Sequence, residues 1–280
     1  MKKLINLIVI VSFFGVISCQ KTVNSAFPNN PELPSLLSYF DITSKHTNAA
    51  FGVSLSTSMR DKNNEYAPLS FQGLFLSNNG SAVKGGLVKF NNQSFTTSDG
   101  YYGSGSSLDK NLVGEKRPFS FQKPSTFDIQ PNSLTSGNLE LGSTIYDTLY
   151  VPKLLDIKSG QPTADDMSQN VIKLGHQFTW IPDPKNISMG VIIGVEYYPS
   201  DILNSAYKTV QPRPIKHGRV IEDNGSYKLD SFFFTDIPVG AAVQITIARA
   251  NYKLATDTES TPYTLFAYNF KFADYYYRGN

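Results

Sequence analysis

The sequence predicts an all-β protein whose strands form antiparallel sandwiches. Short segments that alternate apolar and polar residues recur about every ten residues, Gly, Asn, Ser or Pro bounds them, and helical spacing is rare. Because helices do not separate these segments, a parallel sheet with helical crossovers is not expected. The apolar fraction of 40%, with 13% aromatic residues, is too high for a disordered chain.

The predicted strands follow one another along the chain. Side chains that share a strand face are Phe51, Val53 and Leu55; Phe178 and Trp180; Val191, Ile193, Val195 and Tyr197; Val243, Ile245 and Ile247; and Phe266, Tyr268, Phe270 and Phe272. The segments 87–90 and 144–151 are also rich in β-forming residues. Helical spacing is confined to 33–40 and 200–207. We expect Trp180 to lie in the core of a C-terminal sandwich.

The segment 222–227 contains Asn224-Gly225 between two apolar runs, which is typical of a two-residue β-hairpin turn. Calcium binding by Glu222 and Asp223 is the alternative, but the further carboxylates of a calcium loop are missing. The sequence therefore favours a hairpin here.

The N-terminus has the features of a secretory leader. Lys2 and Lys3 precede the apolar run 4–17, which is too short for a transmembrane helix of about 20 residues. Residues 1–18 are the predicted signal peptide, and Cys19, the single cysteine of the chain, follows them directly. Removal of this leader leaves a chain that is long enough to bury a sizeable core.

Val16-Ile17-Ser18-Cys19 resembles the lipobox of bacterial lipoproteins. The resemblance implies that the leader is cleaved before Cys19, that lipid is attached to Cys19 and that the protein is bound to a membrane. Gln20, the residue after Cys19, implies that this is the bacterial outer membrane. Whether the protein faces the periplasm or the cell surface is left open. The alternative is an ordinary signal peptide. A lipidated Cys19 leaves no thiol for a disulfide, a zinc site or a nucleophile.

The mature chain is predicted to comprise three parts. Residues 19–35 are polar, contain three prolines and have no strand or helix period, as expected of a tether. Two sandwich domains are predicted to follow, over 36–149 and 150–280.

Part of the second predicted domain is similar to a known module. Phe178–Pro182, the alternating run 191–197, and the Pro-Gly corner 237–240 before 243–251 resemble immunoglobulin-like and fibronectin type III sandwiches. The tyrosine that normally opens the later strand of these modules is absent. The resemblance implies an immunoglobulin-like sandwich that acts as a spacer or binder.

The charges and the titratable residues argue against several functions. The chain has 25 Lys+Arg and 23 Asp+Glu, and loss of the two leader lysines leaves it neutral, so nucleic acid is not an expected partner. The histidines, His46, His176 and His217, lack metal-ligand spacing. The adjacent acids Asp165-Asp166 and Glu222-Asp223 lie in predicted loops or turns, where an opposed catalytic pair is not expected. No catalytic residue, metal or cofactor is predicted.

Clustered tyrosines are the candidate ligand-binding residues. Tyr101 and Tyr102 are adjacent, as are Tyr275, Tyr276 and Tyr277, and consecutive residues of a strand cannot all face a core. Such rings can stack on sugars or pack against a neighbouring domain. The sequence thus predicts a non-enzymatic binding or structural module of the cell envelope, with a glycan or an envelope protein as partner. The alternative is a carbohydrate-active hydrolase or an accessory domain of a polysaccharide-utilisation system.

Overall fold

The computed structural model describes residues 47–60, 69–78, 81–97, 100–103, 109–128, 140–163, 169–187, 190–197 and 215–279. Regular structure within these ranges is almost entirely β, which confirms the all-β prediction. The leader, Cys19, the tether and both predicted helical segments lie outside the described residues. None of the helical segments that are described is long and apolar enough to cross a membrane.

The strands, in chain order, are β1 (Ala49–Ser58), β2 (Ser70–Leu76), β3 (Ala82–Val83), β4 (Val88–Phe90), β5 (Gln93–Phe95), β6 (Tyr101–Gly103), β7 (Glu115–Pro124), β8 (Leu141–Val151), β9 (Ile157–Ser159), β10 (Val171–Ile172), β11 (Gln177–Trp180), β12 (Gly190–Tyr197), β13 (Ile215–Ile221), β14 (Ser226–Lys228), β15 (Ala242–Thr256) and β16 (Pro262–Tyr277). Short 3₁₀ segments lie at Lys110–Leu112 and Ser231–Phe234.

These strands form three sheets. The main sheet has nine strands in the order β13-β12-β15-β16-β1-β2-β3, with β10 added beside β16 and β6 beside β2. The N-terminal sheet has the order β5-β4-β7-β8, and the C-terminal sheet has the order β14-β11-β9. Pairing is antiparallel except that β1 and β10 run parallel to β16.

Two apolar cores lie on one side of the main sheet. The first core lies between the main sheet and the N-terminal sheet and is rich in phenylalanine, with Phe51 in contact with five other aromatic rings. The second core lies between the main sheet and the C-terminal sheet and is largely aliphatic. Trp180 belongs to it and is only 4% exposed, as the sequence predicted.

The hairpin of β15 and β16 contributes to both cores. On the inner face of β16, Tyr263 and Leu265 belong to the first core, whereas Ala273 and Tyr275 belong to the second. The two halves of the chain therefore share one pair of strands. The predicted boundary after residue 149 falls within β8, close to the end of that strand.

A polar belt interrupts the inner face of this hairpin between the two cores. Its members, all buried, are Arg249, Asn251, Asn269 and Lys271. The connection from β8 to β9 crosses the belt: Asn269 Oδ1 accepts the backbone N–H of Leu155 at 2.7 Å, and Arg249 Nη1 donates to the carbonyls of Lys153 and Leu154 at 3.1 Å. The belt satisfies backbone groups that a continuous apolar core would leave unpaired.

The hairpin predicted at Asn224-Gly225 is not formed. β13 ends before this segment in the main sheet, and β14 begins after it in the C-terminal sheet, so the chain crosses between sheets here. Gly225 has a φ of 94°, which a residue with a side chain rarely adopts, and its carbonyl accepts the N–H of Trp180. The Asn-Gly signal correctly marked a turn but not which strands that turn joins.

Candidate ligand-binding face

A groove of about 450 Å³ lies on the outer face of the N-terminal sheet, away from the first core. Its lining residues are Leu87, Lys89, Asn92, Pro118, Phe119, Ser120, Gln122, Thr144, Tyr146 and Asp147. Strand alternation explains which of them face outward: in β8, Ile145 belongs to the first core, so Tyr146 points to solvent. With an exposure of 80%, Tyr146 is the most exposed aromatic residue in the described part of the chain.

Strand register aligns three groove residues. Lys89 of β4 is paired with Ser120 of β7, and Ser120 is paired with Tyr146 of β8. Neighbouring strands lie about 4.8 Å apart, so the backbones at Lys89 and Tyr146 are separated by about 9.6 Å on the same face. Gln122 and Thr144 form the adjacent cross-strand pair. The groove thus combines one aromatic ring with an ammonium, hydroxyls and an amide.

Close backbone packing holds one side of the groove. A Cβ atom at Gly86 would lie 2.8 Å from Gln122 Cβ, closer than two carbons normally approach, so a larger residue here would displace this part of the groove. Gly86 N–H donates to the Gln122 carbonyl at 2.8 Å, and Gln122 N–H donates to the Leu87 carbonyl at 3.0 Å. The Tyr102 hydroxyl donates to the Gly86 carbonyl at 2.7 Å. Burial raises the pKa of Tyr102 to about 12, which keeps this donor protonated.

The carboxylate of Asp147 is directed away from the open groove. It binds Lys253 Nζ, and it accepts the Tyr263 hydroxyl at 2.7 Å and the N–H of Thr148 at 2.7 Å. Burial alone would raise the pKa of Asp147, but these donors outweigh burial and lower the pKa below its usual value. Asp147 therefore ties the N-terminal sheet to the β15–β16 hairpin.

A second ion cluster ties the two sheets together nearby. Lys123 Nζ lies 2.6 Å from Asp257 Oδ2 and 2.7 Å from Glu259 Oε2, and Lys123 and Asp257 are both buried. Burial alone would lower the pKa of Lys123, but hydrogen bonds to the two carboxylates raise it above its usual value. Likewise, burial would raise the pKa of Asp257, but Lys123 and two backbone N–H groups lower it.

The five predicted tyrosines occupy different environments. Tyr102 and Tyr275 are only 2% and 1% exposed, so neither offers the open ring face that stacking on a sugar requires. Tyr277 stacks on Phe234 with ring centroids 4.3 Å apart, and Tyr276 is half-buried. Tyr101 is 43% exposed but lies on β6, outside the groove. Packing, the alternative considered from the sequence, accounts for Tyr102, Tyr275 and Tyr277.

Asp223, one of the acids considered for calcium, has structural partners. Its carboxylate accepts the indole N–H of Trp180 at 2.8 Å and the backbone N–H of Asp183 at 3.1 Å, and it lies 2.7 Å from Arg249 Nε. These partners occupy the oxygens that a metal would need. The pair Asp165-Asp166 and His46 lie outside the described residues.

Two described histidines also have structural partners. Nε2 of His176 lies 2.9 Å from the carbonyl of Gly160, and Nε2 of His217 lies 2.8 Å from the carbonyl of Thr235. Among the described residues, no three His, Cys, Asp or Glu side chains are grouped so that they could hold a metal ion.

Sequence reasoning placed a strand at 144–151 but did not identify Tyr146 as a functional residue. The signal was present, because Tyr146 alternates with Thr144 and Thr148, whereas Ile145 and Leu149 occupy the opposite face. A single large aromatic residue on a polar strand face indicates an exposed ring. No protein-family model matches the chain, and no curated protein matches it.

Proposed function

We propose that this chain is a lipid-anchored binding protein of the bacterial outer membrane that holds a glycan in the groove of the N-terminal sheet without catalysing its turnover. The exposed ring of Tyr146 within the groove is the observation that carries this proposal. An exposed aromatic ring within a groove offers an apolar face on which the C–H face of a sugar can stack.

The composition of the groove favours a sugar. A sugar ring has an apolar C–H face, which suits the ring of Tyr146, and a rim of hydroxyls, which suits the hydrogen-bonding groups of Ser120, Gln122 and Thr144. The volume of about 450 Å³ lies within the range of about 300–1,000 Å³ that is common for small-ligand sites. Because the sheet holds the backbones of these residues in register, the spacing between them is fixed before a ligand binds.

The N-terminus supports the location. The lipobox-like motif that ends at Cys19 and the tether 19–35, which spans at most about 60 Å, would hold the folded part near a membrane. Wild-type protein should incorporate a radiolabelled fatty acid, and Cys19→Ser should be unlabelled and released from membranes. Wild-type protein that takes up no label would contradict this part of the proposal.

The C-terminal half is proposed to be an immunoglobulin-like module that supports the groove rather than a second ligand site. The support is its strand arrangement: β14-β11-β9 faces β13-β12-β15-β16, with Trp180 buried between the sheets. A supporting role is inferred by analogy with such modules.

Glycan binding can be tested with the Cys19→Ser protein on an array of envelope and dietary oligosaccharides. Tyr146→Ala should weaken binding of any captured glycan at least about tenfold, or about 1.4 kcal/mol, because the stacking surface is lost. Tyr101→Ala is the matched control, since Tyr101 is also exposed but lies outside the groove. Both variants should melt like the parent protein, which separates binding from stability.

Two results would contradict the proposal. Unchanged affinity in Tyr146→Ala would remove the groove as the binding site. Release of reducing ends from any polysaccharide by the purified protein would instead favour the alternative, a carbohydrate-active hydrolase.

A further inference from the structure

We propose that the glycan held in this groove is acidic, with an anionic substituent that pairs with Lys89 while a sugar ring stacks on Tyr146. This inference rests on the proposed function, since it specifies the chemical class of the ligand at the same site.

The charged side chains on the outer face of the N-terminal sheet are all positive. The outward positions that the strand pairing gives are Lys89 of β4, Ser94 of β5, Lys116, Pro118, Ser120 and Gln122 of β7, and Thr144, Tyr146, Thr148 and Tyr150 of β8. These positions include two lysines and neither Asp nor Glu. The face is therefore cationic although the mature chain as a whole is neutral, and a cationic face favours an anionic ligand.

Lys89 also differs from four lysines of the described chain that are paired with acids. Lys123, Lys158, Lys216 and Lys253 each form a salt bridge with a carboxylate. Lys89 is exposed, lines the groove and forms no salt bridge within the described ranges. The nearest acid of the lining, Asp147, is already bound to Lys253 and Tyr263 behind the sheet. An incoming anion would thus meet an ammonium whose charge is not neutralised.

The spacing suits one ligand that contacts both residues. Lys89 and Tyr146 flank Ser120 in one cross-strand row, at two strand spacings of about 4.8 Å each. A ring stacked on Tyr146 can therefore carry a substituent across Ser120 to the flexible side chain of Lys89. Lys is a compact charge without the planar fork of Arg, so carboxylate and sulfate are both accepted. The shared chemistry is an anionic group on a sugar.

Two matched pairs of ligands test the inference with the Cys19→Ser protein. Oligogalacturonate is compared with its methyl ester, and dextran sulfate is compared with dextran, so that each pair differs in charge on a common backbone. Calorimetry should give at least a tenfold preference for the charged member of one pair or both, and the pair that shows it identifies carboxylate or sulfate. Raising NaCl from 50 to 500 mM should reduce this preference, because an exposed ion pair is screened.

Lys89→Gln should abolish the preference for the charged member of the pair. Lys116→Gln is the matched control, because Lys116 faces outward on the same sheet but does not line the groove; we expect a change of at most about twofold. Tyr146→Ala should weaken both members. A preference retained in Lys89→Gln, or neutral and charged members bound equally, would overturn this inference alone. Failure of every glycan to bind, or unchanged binding by Tyr146→Ala, would overturn the proposed function as well.

Discussion

The two cores of this protein are built from different residues although they share the β15–β16 hairpin. In the first core, phenylalanine rings pack against one another, as in the Phe71–Phe95 stack with centroids 4.0 Å apart. The second core has aliphatic strands and one tryptophan whose N–H reaches the buried carboxylate of Asp223. The first core therefore depends on ring packing, whereas the second depends on aliphatic packing and a buried ion pair.

The shared hairpin makes this difference testable. β15 and β16 supply residues to both cores. Loss of either core would therefore expose part of these two strands to solvent. We therefore expect the described part of the chain to unfold as one cooperative unit, even though its cores are chemically distinct. Variants in each core and in the contacts between them test this expectation.

Truncation of the central ring of each core should give the largest effect. Trp180→Ala and Phe51→Ala should each reduce the free energy of unfolding by about 3–5 kcal/mol, because both rings are buried. Chemical denaturation followed by circular dichroism should show a single transition at a lower midpoint for both variants. Two separate transitions would show that each core is stable on its own, and an unchanged midpoint for Trp180→Ala would show that its ring does not pack in the core.

Removal of the cation from the polar belt should have the next largest effect. Arg249→Met leaves the carboxylate of Asp223 buried without its ion pair, at a cost of about 3 kcal/mol. We expect the low end of the range for broken buried pairs, because Trp180 and Asp183 still donate to that carboxylate. Lys253→Met is the control: its ammonium is more exposed, so its loss should cost at most about 1 kcal/mol. Equal losses of stability in Arg249→Met and Lys253→Met would contradict the expectation that the buried ion pair of the belt contributes more than an exposed one.

The ion clusters that hold the first core to the hairpin should make stability depend on pH at both extremes. The lowered pKa values of Asp147 and Asp257 stabilise the fold above the unfolded value of about 3.9, and this contribution is lost as pH falls through the folded values. The raised pKa of Lys123 stabilises the fold below the unfolded value of about 10.4, and this contribution is lost as pH rises through the folded value.

Thermal melts of the wild type and Asp257→Asn across pH check this expectation. The difference in melting temperature should be constant between pH 5 and 9 and should shrink below about pH 4. Asp156→Asn is the control, since the pair of Asp156 with Lys158 is largely solvent-exposed. A difference for Asp257→Asn that persists unchanged at pH 2 would contradict the assignment.

Two tyrosines of the first sandwich, one in its core and one on its outer face, should give the smallest effects. Tyr102→Phe removes the hydrogen bond to Gly86 and should cost about 1 kcal/mol. Tyr146→Ala removes an exposed ring and should change stability by no more than about 0.5 kcal/mol. Urea titrations of the two variants measure both values. A larger loss of unfolding free energy in Tyr146→Ala would mean that the Tyr146 ring packs against the protein rather than facing solvent.

Local patterns in the sequence predicted the faces of single strands well. Alternation in Val243, Ile245 and Ile247 correctly placed these side chains in a core, and the row from Phe266 to Phe272 shares one face with ring centroids about 6 Å apart. These features depend only on the two-residue period of a strand. The burial of Trp180 followed from the same parity.

Features that depend on partners distant in sequence were not predicted. Asn224-Gly225 marks a turn, but whether that turn closes a hairpin depends on which sheet takes the next strand. The polar residues Arg249 and Asn269 look like solvent-exposed positions in the sequence, yet they are buried because the 152–155 connection needs hydrogen-bond partners. Tyr146 was missed because the clustering of tyrosines, rather than the polarity of their strand neighbours, guided the choice of candidates.

The parallel pairing of β1 with β16 also determines how the protein resists mechanical tension. Thr47 directly precedes β1, so tension applied to the chain before Thr47 reaches the sheet through that strand. Ten residue pairs join β1 to β16 and six join it to β2. Force along the strand loads these hydrogen bonds together in shear rather than opening them one after another. With the proposed anchor at Cys19 and the proposed glycan in the groove, tension between the two would enter the sheet through these shared hydrogen bonds.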